Sequence, residues 1–574
     1  MTAQADSKAN LLQALRDIVG GNHVLTSSAA TRRYRNGFRT PGGPALAVIR
    51  PATLVQQWRV LKACVEADVI VLPQASNTSL TGGSTPASGY DRDVVIISTA
   101  RLNGIFPIQE GRQVVCLPGA TLHQLEKTLK PLGREPHSVI GSSCFGASVI
   151  GGLCNNSGGA LVRRGPAYTE MAVFAHVDVD GHLHLINHLG FELGDAPEEI
   201  LLRLERGDFG IQTPATLARA ASDSEYATHV RNVDADTPAR FNADPRRLFE
   251  AAGSAGKLMV FAVRLDTFAL EHESQTFYIG SNDTRALADL RRRLLTQIGA
   301  VPIAAEYLHR DAFDLADCYG KDQFLTIRFV GTDRLPEFFA LKSHFDDLLP
   351  RNLIDRLLYG LSRLFPDHLP PRMRQWRSRY EHHLLLKVSH SEAAETQSLL
   401  DEWSAGEAGY FTCTPDEAAR AFLHRFVIAG AAVRYQALHP RAVEGIVALD
   451  IALRRNDRDW FEHLPAEYDS KLLHRIYYGH FLCHVLHQDY VVARGQNCAA
   501  IKHDMLLRLD ERGARYPAEH NVGNHYVAED ALAEFYRQLD PQNRFNAGIG
   551  GASRLKNYAE CHTAGCEHHH EPAN

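Results

Sequence analysis

Two glycine-rich segments carry the residue types that suit a phosphate-bearing ligand. The first is PQASNTSLTGGSTP (Pro73–Pro86); the second, Ser138–Gly165, holds seven glycines, five serines and only two charged residues among its 28. Small residues let backbone N–H groups approach a ligand closely, and successive N–H groups form a concave anion site. Neither segment fits the Rossmann dinucleotide fingerprint or a P-loop. We expect one dinucleotide held by both segments; two plain surface loops are the alternative.

The elements around these segments alternate between short strands and helices. The β-branched runs VIVLPQ and DVVIIST predict buried strands, and LVQQWRVLKACVEAD (Leu54–Asp68) has apolar residues at helical spacing. VFAHVDVDGHLHLINHLG predicts a hairpin at Asp180-Gly181, and LMVFAVRLDTF (Leu258–Phe268) predicts a closing strand. A mixed α/β region is therefore expected over residues 1–268.

The pattern changes after this region. DTRALADLRRRLLTQI predicts a helix, whereas YEHHLLLKVS and YYGHFLCHVLHQDYVV predict strands. We divide the chain into residues 1–268, 269–517 and 518–574, with an insert at about 333–380 in the middle part.

Composition narrows the class of protein. At 574 residues the chain is too long for one core, and 45% apolar with 22% charged residues is ordinary globular composition. A net charge of −6 argues against a nucleic-acid partner. The ten cysteines form no Cys-x-x-Cys pair, which favours reduced thiols. We see no signal peptide, and apolar runs of about ten residues are too short to span a bilayer, so membrane contact is expected to be peripheral.

Longer phrases make the chain similar to a known group of proteins. VVCLPGATLHQLEKTLKPLG, GGLCNNSGGALVRRGPAYTEM, YPAEHNVG and LDPQNRFNAGIG follow one another as in the vanillyl-alcohol oxidase-type flavoproteins. Within that superfamily, residues 10–555 resemble the bacterial quinone-dependent D-lactate dehydrogenases, and only the His-rich tail lies outside. The resemblance implies an α+β fold: a two-subdomain FAD-binding domain, an α/β cap domain for the substrate, and a helical basic insert.

The resemblance implies that FAD lies extended between the two subdomains. The first loop holds neither His nor Cys, the residues that tether flavin in some relatives, so we expect non-covalent FAD. By position, the residues implied to contact FAD are Ala75, Ser76, Asn77, Thr78, Ser79, Gly83, Ser84, Gly141, Ser148, Gly158 and Val260.

The resemblance also assigns the catalytic roles. Oxidising a hydroxy acid needs a base for the hydroxyl proton, for which histidine is suited near neutral pH, and a cation for the carboxylate. AEHNVG (Ala518–Gly523) resembles the Glu-His-Gly segment of related 2-hydroxy-acid dehydrogenases, which implies His520 as the base. Arg425 resembles the arginine that relatives place opposite flavin, the alternative being an exposed helix arginine. Glu306 and Tyr307 are further candidates for the pocket wall.

His480 and His487 lie seven residues apart, a spacing at which related dehydrogenases bind a metal with Asp-Gly-Asp/Asn between the two histidines. Here the sequence between them is Phe-Leu-Cys-His-Val-Leu. On a single regular strand, His480 and His487 would face opposite sides. We therefore expect two substrate-pocket histidines and no metal, while a metal held by His480, His487 and Glu519 is the alternative.

A basic stretch, Arg351–Arg379, interleaves seven Arg and two Asp with Leu, Phe, Tyr and Trp. Such a segment suits an anionic lipid surface, where each basic residue adds about 1 kcal/mol. A solvated helical face is the alternative. The resemblance implies a peripheral enzyme on the cytoplasmic face of the bacterial inner membrane.

Together these features predict FAD-dependent oxidation of D-lactate to pyruvate, with electrons passed to a membrane quinone. Two alternatives stay open. One is a soluble oxidase or dehydrogenase of another 2-hydroxy acid, and the other is a non-catalytic flavin-binding membrane module.

Overall fold

A computed structural model describes residues 2–37, 40–137, 146–212, 218–271, 273–330, 353–404 and 408–559. Gly141, Arg351 and the His-rich tail, which figure in the sequence analysis, lie outside these residues.

The first sheet has four strands in the order β1-β2-β4-β3. The pairs β2–β4 and β3–β4 are parallel, and both faces of the sheet are buried because its strands are almost wholly apolar. In chain order the elements are α1 (Thr2–Val19), β1 (Val24–Leu25), α2 (Ser28–Arg35), β2 (Ala47–Ile49), α3 (Leu54–Glu66), β3 (Ile70–Gln74) and β4 (Val94–Ser98).

The second sheet is antiparallel, with the strand order β5-β6-β10-β8-β9. The hairpin predicted at Asp180-Gly181 joins β8 to β9, and β11 pairs with β7 beside this sheet. The elements are β5 (Ile105–Ile108), β6 (Gln113–Cys116), α4 (Leu122–Leu129), β7 (Arg134–Glu135), α5 (Val149–Cys154), β8 (Ala172–Val177), β9 (Leu183–Asn187), α6 (Pro197–Arg206), α7 (Tyr226–Arg231), β10 (Met259–Asp266) and β11 (Phe268–Ala269).

The third sheet has seven strands in the order β15-β12-β14-β13-β17-β18-β16, all antiparallel. Helices pack against it through two apolar clusters. The elements are β12 (Ser274–Ser281), α8 (Thr284–Thr296), β13 (Ala304–His309), α9 (Arg310–Tyr319), α10 (Lys321–Val330), α11 (Leu353–Ser362), α12 (Pro371–Arg379), β14 (His382–Ser389), α13 (His390–Trp403), β15 (Gly409–Thr412), α14 (Pro415–Phe426), α15 (Ile428–Leu438), β16 (Val443–Ala452), β17 (Leu472–His480) and β18 (Val485–Ala493).

After α16 (Cys498–Glu511) and α17 (Asp530–Leu539) the chain returns to the first sheet. The backbone N–H of Val71 donates to the carbonyl of Arg544 at 2.8 Å, and that of Asn546 donates to the carbonyl of Val71 at 2.9 Å. The C-terminal part is thereby tied to β3. The domain boundaries at residues 268 and 517 stay a prediction.

The prediction of one continuous strand through His480 and His487 is wrong. Strand β17 ends at His480, residues 481–484 turn, and β18 begins at Val485, so the segment is a hairpin. His484 adopts a left-handed backbone conformation with φ 54°. The turn contains no Gly, Asn, Asp or Pro, the residues that usually signal one, and its buried apolar residues continue the strand pattern.

Candidate functional site

A cavity of about 3320 Å³ is lined by residues from both glycine-rich segments, from the start of β10 and from the seven-stranded sheet. The segment Pro517–Tyr526 also lines it. The cavity therefore lies where the N-terminal sheets, the third sheet and the C-terminal return meet.

The first loop, residues 75–84, is folded by its own small polar side chains. Oγ of Ser79 accepts hydrogen bonds from the backbone N–H groups of Thr81 and Gly83, at 3.3 and 3.1 Å. Asn77 has a positive φ of 53°. A Cβ on Gly83 would lie 2.8 Å from Nδ2 of Asn521, so this position requires glycine or a local shift. The result is a tight, uncharged loop with its backbone close to the cavity.

The described part of the second loop, from residue 146 onward, is held at two points. Ser148 caps α5 by accepting from the N–H of Gly151 at 3.0 Å. A Cβ on Gly158 would come within 2.5 Å of Oε1 of Glu519, because the loop packs closely on the C-terminal segment. Both loops fit an extended dinucleotide, since they line a long cavity with small, uncharged residues. The predicted cofactor residues that line the cavity are Ala75, Ser76, Asn77, Thr78, Ser79, Gly83, Ser84, Ser148, Gly158 and Val260.

A buried network of five charged residues runs beside the cavity: Arg240, Glu519, His480, Glu306 and Arg425. Arg240 bonds to Oε1 of Glu519, whose Oε2 lies 3.1 Å from Nε2 of His480. Nδ1 of His480 lies 2.7 Å from Oε1 of Glu306, and Oε2 of Glu306 lies 3.0 Å from Nη2 of Arg425. Alternating charges satisfy one another, which is the condition for burying them.

The network fixes the charge of its members. Burial alone would lower the pKa of His480, but the carboxylates of Glu306 and Glu519 raise it to about 10. Burial would raise the pKa of Glu519, yet His480 and Arg240 lower it to about 2. The pKa of Glu306 is also lowered, because His480 and Arg425 outweigh its burial. His480, Glu519 and Glu306 therefore stay charged near neutral pH.

Arg425 is not the exposed helix arginine of the alternative interpretation. It lies at the last turn of α14, is buried, lines the cavity, and stacks its guanidinium 4.6 Å from the ring centre of Tyr478. Its Nε is buried and has no hydrogen-bond partner among the described residues. A guanidinium with an unused donor at the cavity wall is suited to a carboxylate ligand.

His520 is oriented by a residue that the sequence analysis did not identify, Asp450 at the end of β16. Nδ1 of His520 lies 2.6 Å from Oδ2 of Asp450, which also accepts from the backbone N–H groups of Glu519 and His520 at 2.7 and 3.1 Å. Burial would raise the pKa of Asp450, but His520 and His487 hold it well below its usual range. A neutral His520 that donates from Nδ1 to Asp450 has Nε2 as the nitrogen that takes up a proton.

The hairpin brings His480 and His487 to the same side of the sheet, with ring centres 5.5 Å apart. The expectation that they face opposite sides is therefore wrong. His480, His487 and Glu519 place potential ligand atoms within 4.8 Å of one another. Both ring nitrogens of His480 are, however, already within bonding distance of Glu306 and Glu519. We keep the prediction that these residues serve the pocket without a metal.

Residues missed by sequence reasoning lack a local signal. Asp450 sits in the apolar strand run VALDIA, and Arg240 lies in the irregular segment between α7 and β10. A charged residue inside an apolar strand was a visible anomaly at Asp450, because a buried carboxylate needs a partner. Its partner, His520, is 70 residues away, so only the fold reveals the pair.

Comparison with known proteins shows which family models and which fold the chain matches. Residues 45–186 match the family model of the FAD binding domain, and residues 276–558 match that of D-lactate dehydrogenase, membrane binding. Two solved structures share the fold. 4-Ethylphenol oxidase from Gulosibacter chungangensis matches with a TM-score of 0.57 and 13% sequence identity, covering 95% of this chain and 97% of that one. The structure of p-cresol methylhydroxylase matches with a TM-score of 0.56 and 12% sequence identity, covering 96% of this chain and 97% of that one. The molecule thus has the FAD-binding fold of the vanillyl-alcohol oxidase type, as its motifs predicted.

Full-length relatives identify the family. The quinone-dependent D-lactate dehydrogenase of Escherichia coli (strain K12) is 55% identical over 563 residues, which cover 97% of this chain and 98% of the relative. The quinone-dependent D-lactate dehydrogenase of Haemophilus influenzae is 52% identical over 563 residues, which cover 96% of this chain and 100% of the relative. The chain belongs to the family of quinone-dependent D-lactate dehydrogenases, and the resemblance stated from the sequence is confirmed.

Proposed function

We propose that the protein oxidises D-lactate to pyruvate with bound FAD and passes the electrons to a membrane quinone. The observation that carries the proposal is the convergence of Arg425 and the Asp450–His520 pair on the cavity lined by both glycine-rich loops. FAD, when bound, supplies the two-electron acceptor for the C2–H bond of the substrate.

Each side chain has a separate task in this reaction. Arg425 binds the carboxylate of D-lactate through paired N–H donors, and its stacking on Tyr478 fixes the plane of the guanidinium. His520 takes the hydroxyl proton at Nε2 while Asp450 steadies the resulting imidazolium. Glu306 forms an ion pair with Arg425 and so positions its guanidinium, without contacting the reacting atoms.

The electron acceptor is tested by steady-state rates. With D-lactate as donor, we expect faster turnover with a short-chain ubiquinone analogue than with oxygen in the same buffer. Faster turnover with oxygen would indicate a soluble oxidase and would overturn the quinone assignment.

The role of Asp450 is tested by Asp450→Asn. The amide oxygen still accepts from both backbone N–H groups, so the variant should fold and hold FAD. We expect flavin reduction by D-lactate to slow about 10-fold or more, a part of the roughly 10²- to 10⁴-fold that general-base catalysis supplies. The acid-side fall of the rate should move to lower pH, because the anion that favours the protonated imidazole is gone. A slower rate with an unmoved pH profile would mean a purely structural role.

FAD is expected to be held without a covalent bond, because the loop Ala75–Ser84 holds no His or Cys. Acid precipitation of the purified protein should therefore leave a yellow supernatant and a colourless pellet. Flavin colour that stays in the denatured pellet would contradict this prediction.

Membrane association is proposed to occur at the cytoplasmic face of the inner membrane through α11 and α12. Among the described helices, none combines the length and apolar character that crossing a bilayer requires. The exposed apolar residues on and just after α11 are Leu353, Leu357, Leu361, Leu364 and Phe365. Such a face, flanked by basic residues, suits the interface of an anionic bilayer.

The charge count of the basic stretch needs correction. Arg372 pairs with Glu417, Arg377 with Asp314, and Arg374 with Asp317 and Asp367. Most of these acids lie outside the stretch, so its sequence alone overstated the charge available to lipid. Among the described residues, Arg356 and Arg363 are the exposed arginines beside the apolar face.

Binding to vesicles rich in anionic lipid should weaken as salt shortens the Debye length to about 8 Å and below. The double variant Arg356→Glu/Arg363→Glu should bind more weakly by roughly 1 kcal/mol or more per site. Arg285→Glu/Arg458→Glu, which changes two exposed arginines outside the stretch, is the charge-matched control. Equal losses in both pairs, or equal binding to neutral vesicles, would refute the assigned surface.

A further inference from the structure

The large cavity extends away from the catalytic residues into a groove between four helices. We call this the helical groove; its walls are α10, α11, α14 and α15. The residues that line it are Gln323, Ile327, Leu358, Phe422, Leu423, Phe426, Ala429 and Val433. None of these takes part in the chemistry described above.

The groove is mainly apolar; of the charged residues that line the cavity between the same helices, Arg434 pairs with both Asp322 and Asp355. Phe422, Leu423 and Phe426 are half-buried and contribute their side chains from α14. On α15, Ala429 and Val433 lie four residues apart and so on one helix face, together with Ala437 at the next turn. These eight residue steps cover about 12 Å, and the small side chains leave that distance open.

The groove has an inner end at the redox site and an outer end at α11. The inner end adjoins Arg425 at the last turn of α14, in the same cavity as the glycine-rich loops. The outer end reaches Leu358 of α11, the helix that carries the exposed residues Leu353, Leu357 and Leu361. The groove thus connects the redox site with the surface proposed to face the bilayer.

We propose that the helical groove is the binding site for the quinone, with the ring at the inner end and the apolar tail directed toward α11. This rests on the proposed function. A long apolar ligand that partitions into lipid needs a half-buried apolar route, and the groove supplies one that continues into the membrane surface. A water-soluble acceptor needs no such lining.

The oxidation of D-lactate and the reduction of the quinone balance without another reactant. D-lactate loses two electrons and two protons as pyruvate forms, and the quinone gains two electrons and two protons as quinol forms. The groove places donor and acceptor sites in one continuous cavity, so both half-reactions share the same flavin site.

Large side chains placed in the groove test the proposal. Val433→Trp and Ala429→Phe fill it from α15, and Val433 is 40% exposed, so the fold should tolerate the change. Leu202→Trp, at a 43% exposed position on α6 away from the groove, is the matched control. Three rates are measured in the holoenzyme with D-lactate: anaerobic flavin reduction, turnover with ferricyanide, and turnover with decylubiquinone.

We expect kcat/KM for decylubiquinone to fall roughly 10-fold or more in both groove variants, about 1.4 kcal/mol, because the larger side chains occupy the space that the quinone needs. Flavin reduction and ferricyanide turnover should stay within about twofold, because the substituted positions are outside the reacting site. A photoactivatable quinone analogue should label peptides from α14 and α15, and Val433→Trp should reduce that labelling.

Unchanged quinone kinetics in both variants, or labelling confined to other peptides, would overturn the proposal. Equal losses in all three rates would also overturn it, because the groove would then serve the substrate side. If wild-type protein reduces its flavin with D-lactate but does not reduce quinone, the proposed function fails in its acceptor before the groove is considered.

Discussion

Replacing His520 by glutamine is expected to slow flavin reduction by D-lactate at least about 100-fold, since general-base catalysis is typically worth 10²- to 10⁴-fold. Glutamine keeps a similar polar outline and still bonds to Asp450, but it takes up no proton. The reaction is followed by stopped-flow absorbance of the flavin in the absence of oxygen.

The pH dependence makes this prediction specific. With pKa values of about 10 for His480 and about 2 for Glu519, neither group changes charge in the working range. We expect the protonation of His520 to make the rate fall on the acid side, and the variant tests this assignment. The wild type should show this fall, because protonated His520 accepts no further proton, and His520→Gln should lose it.

The same substitution at another histidine of the cavity serves as the control for His520→Gln. His503 lies on α16, is exposed and lines the same cavity, so His503→Gln should leave the rate within about twofold, as expected for an independent site. A His520→Gln rate within threefold of wild type, with the acid-side fall intact, would move the base to another residue. His487, which lies beside Asp450, would be tested next, because His480 stays protonated in the working range.

Replacing Arg425 by lysine should raise KM for D-lactate and lower kcat/KM roughly 10- to 150-fold. Hydrogen bonds to charged groups are worth about 1.5–3 kcal/mol, and lysine loses the paired donors while keeping the charge. The ammonium still balances Glu306, so the buried network should survive. FAD content should be unchanged, because Arg425 lies on α14 and not in the glycine-rich loops.

Arg420→Lys is the control on the same helix. Arg420 pairs with Asp416 one turn before it and does not line the cavity. Its KM should match the wild type. A normal KM in Arg425→Lys would show that another cation holds the carboxylate, and loss of FAD would show that Arg425 serves the cofactor.

Much of the fold could be predicted because its signals are local. The hairpin at Asp180-Gly181, the strand before Phe268 and the two uncharged loops are each visible within a short segment. Arg425 and His520 were found through motifs, and the structure places both at the cavity.

The parts that sequence reasoning missed depend on contacts between distant segments. The turn at 481–484 consists of Phe, Leu, Cys and His, none of which signals a turn. The alternating pattern of the segment therefore predicted a single strand. Asp450 meets His520 across 70 residues, and Arg372 and Arg377 meet acids on α14 and α9. Counting charge or alternation along one segment cannot reveal a partner on another.

The central claim is tested most directly by an anaerobic titration of the purified protein, followed by its flavin absorbance, with D-lactate and then with L-lactate. The account predicts that stoichiometric D-lactate bleaches the oxidised flavin band within the dead time of manual mixing, while L-lactate leaves the band intact on that timescale. Flavin that stays oxidised with D-lactate, or that L-lactate bleaches equally fast, would contradict it.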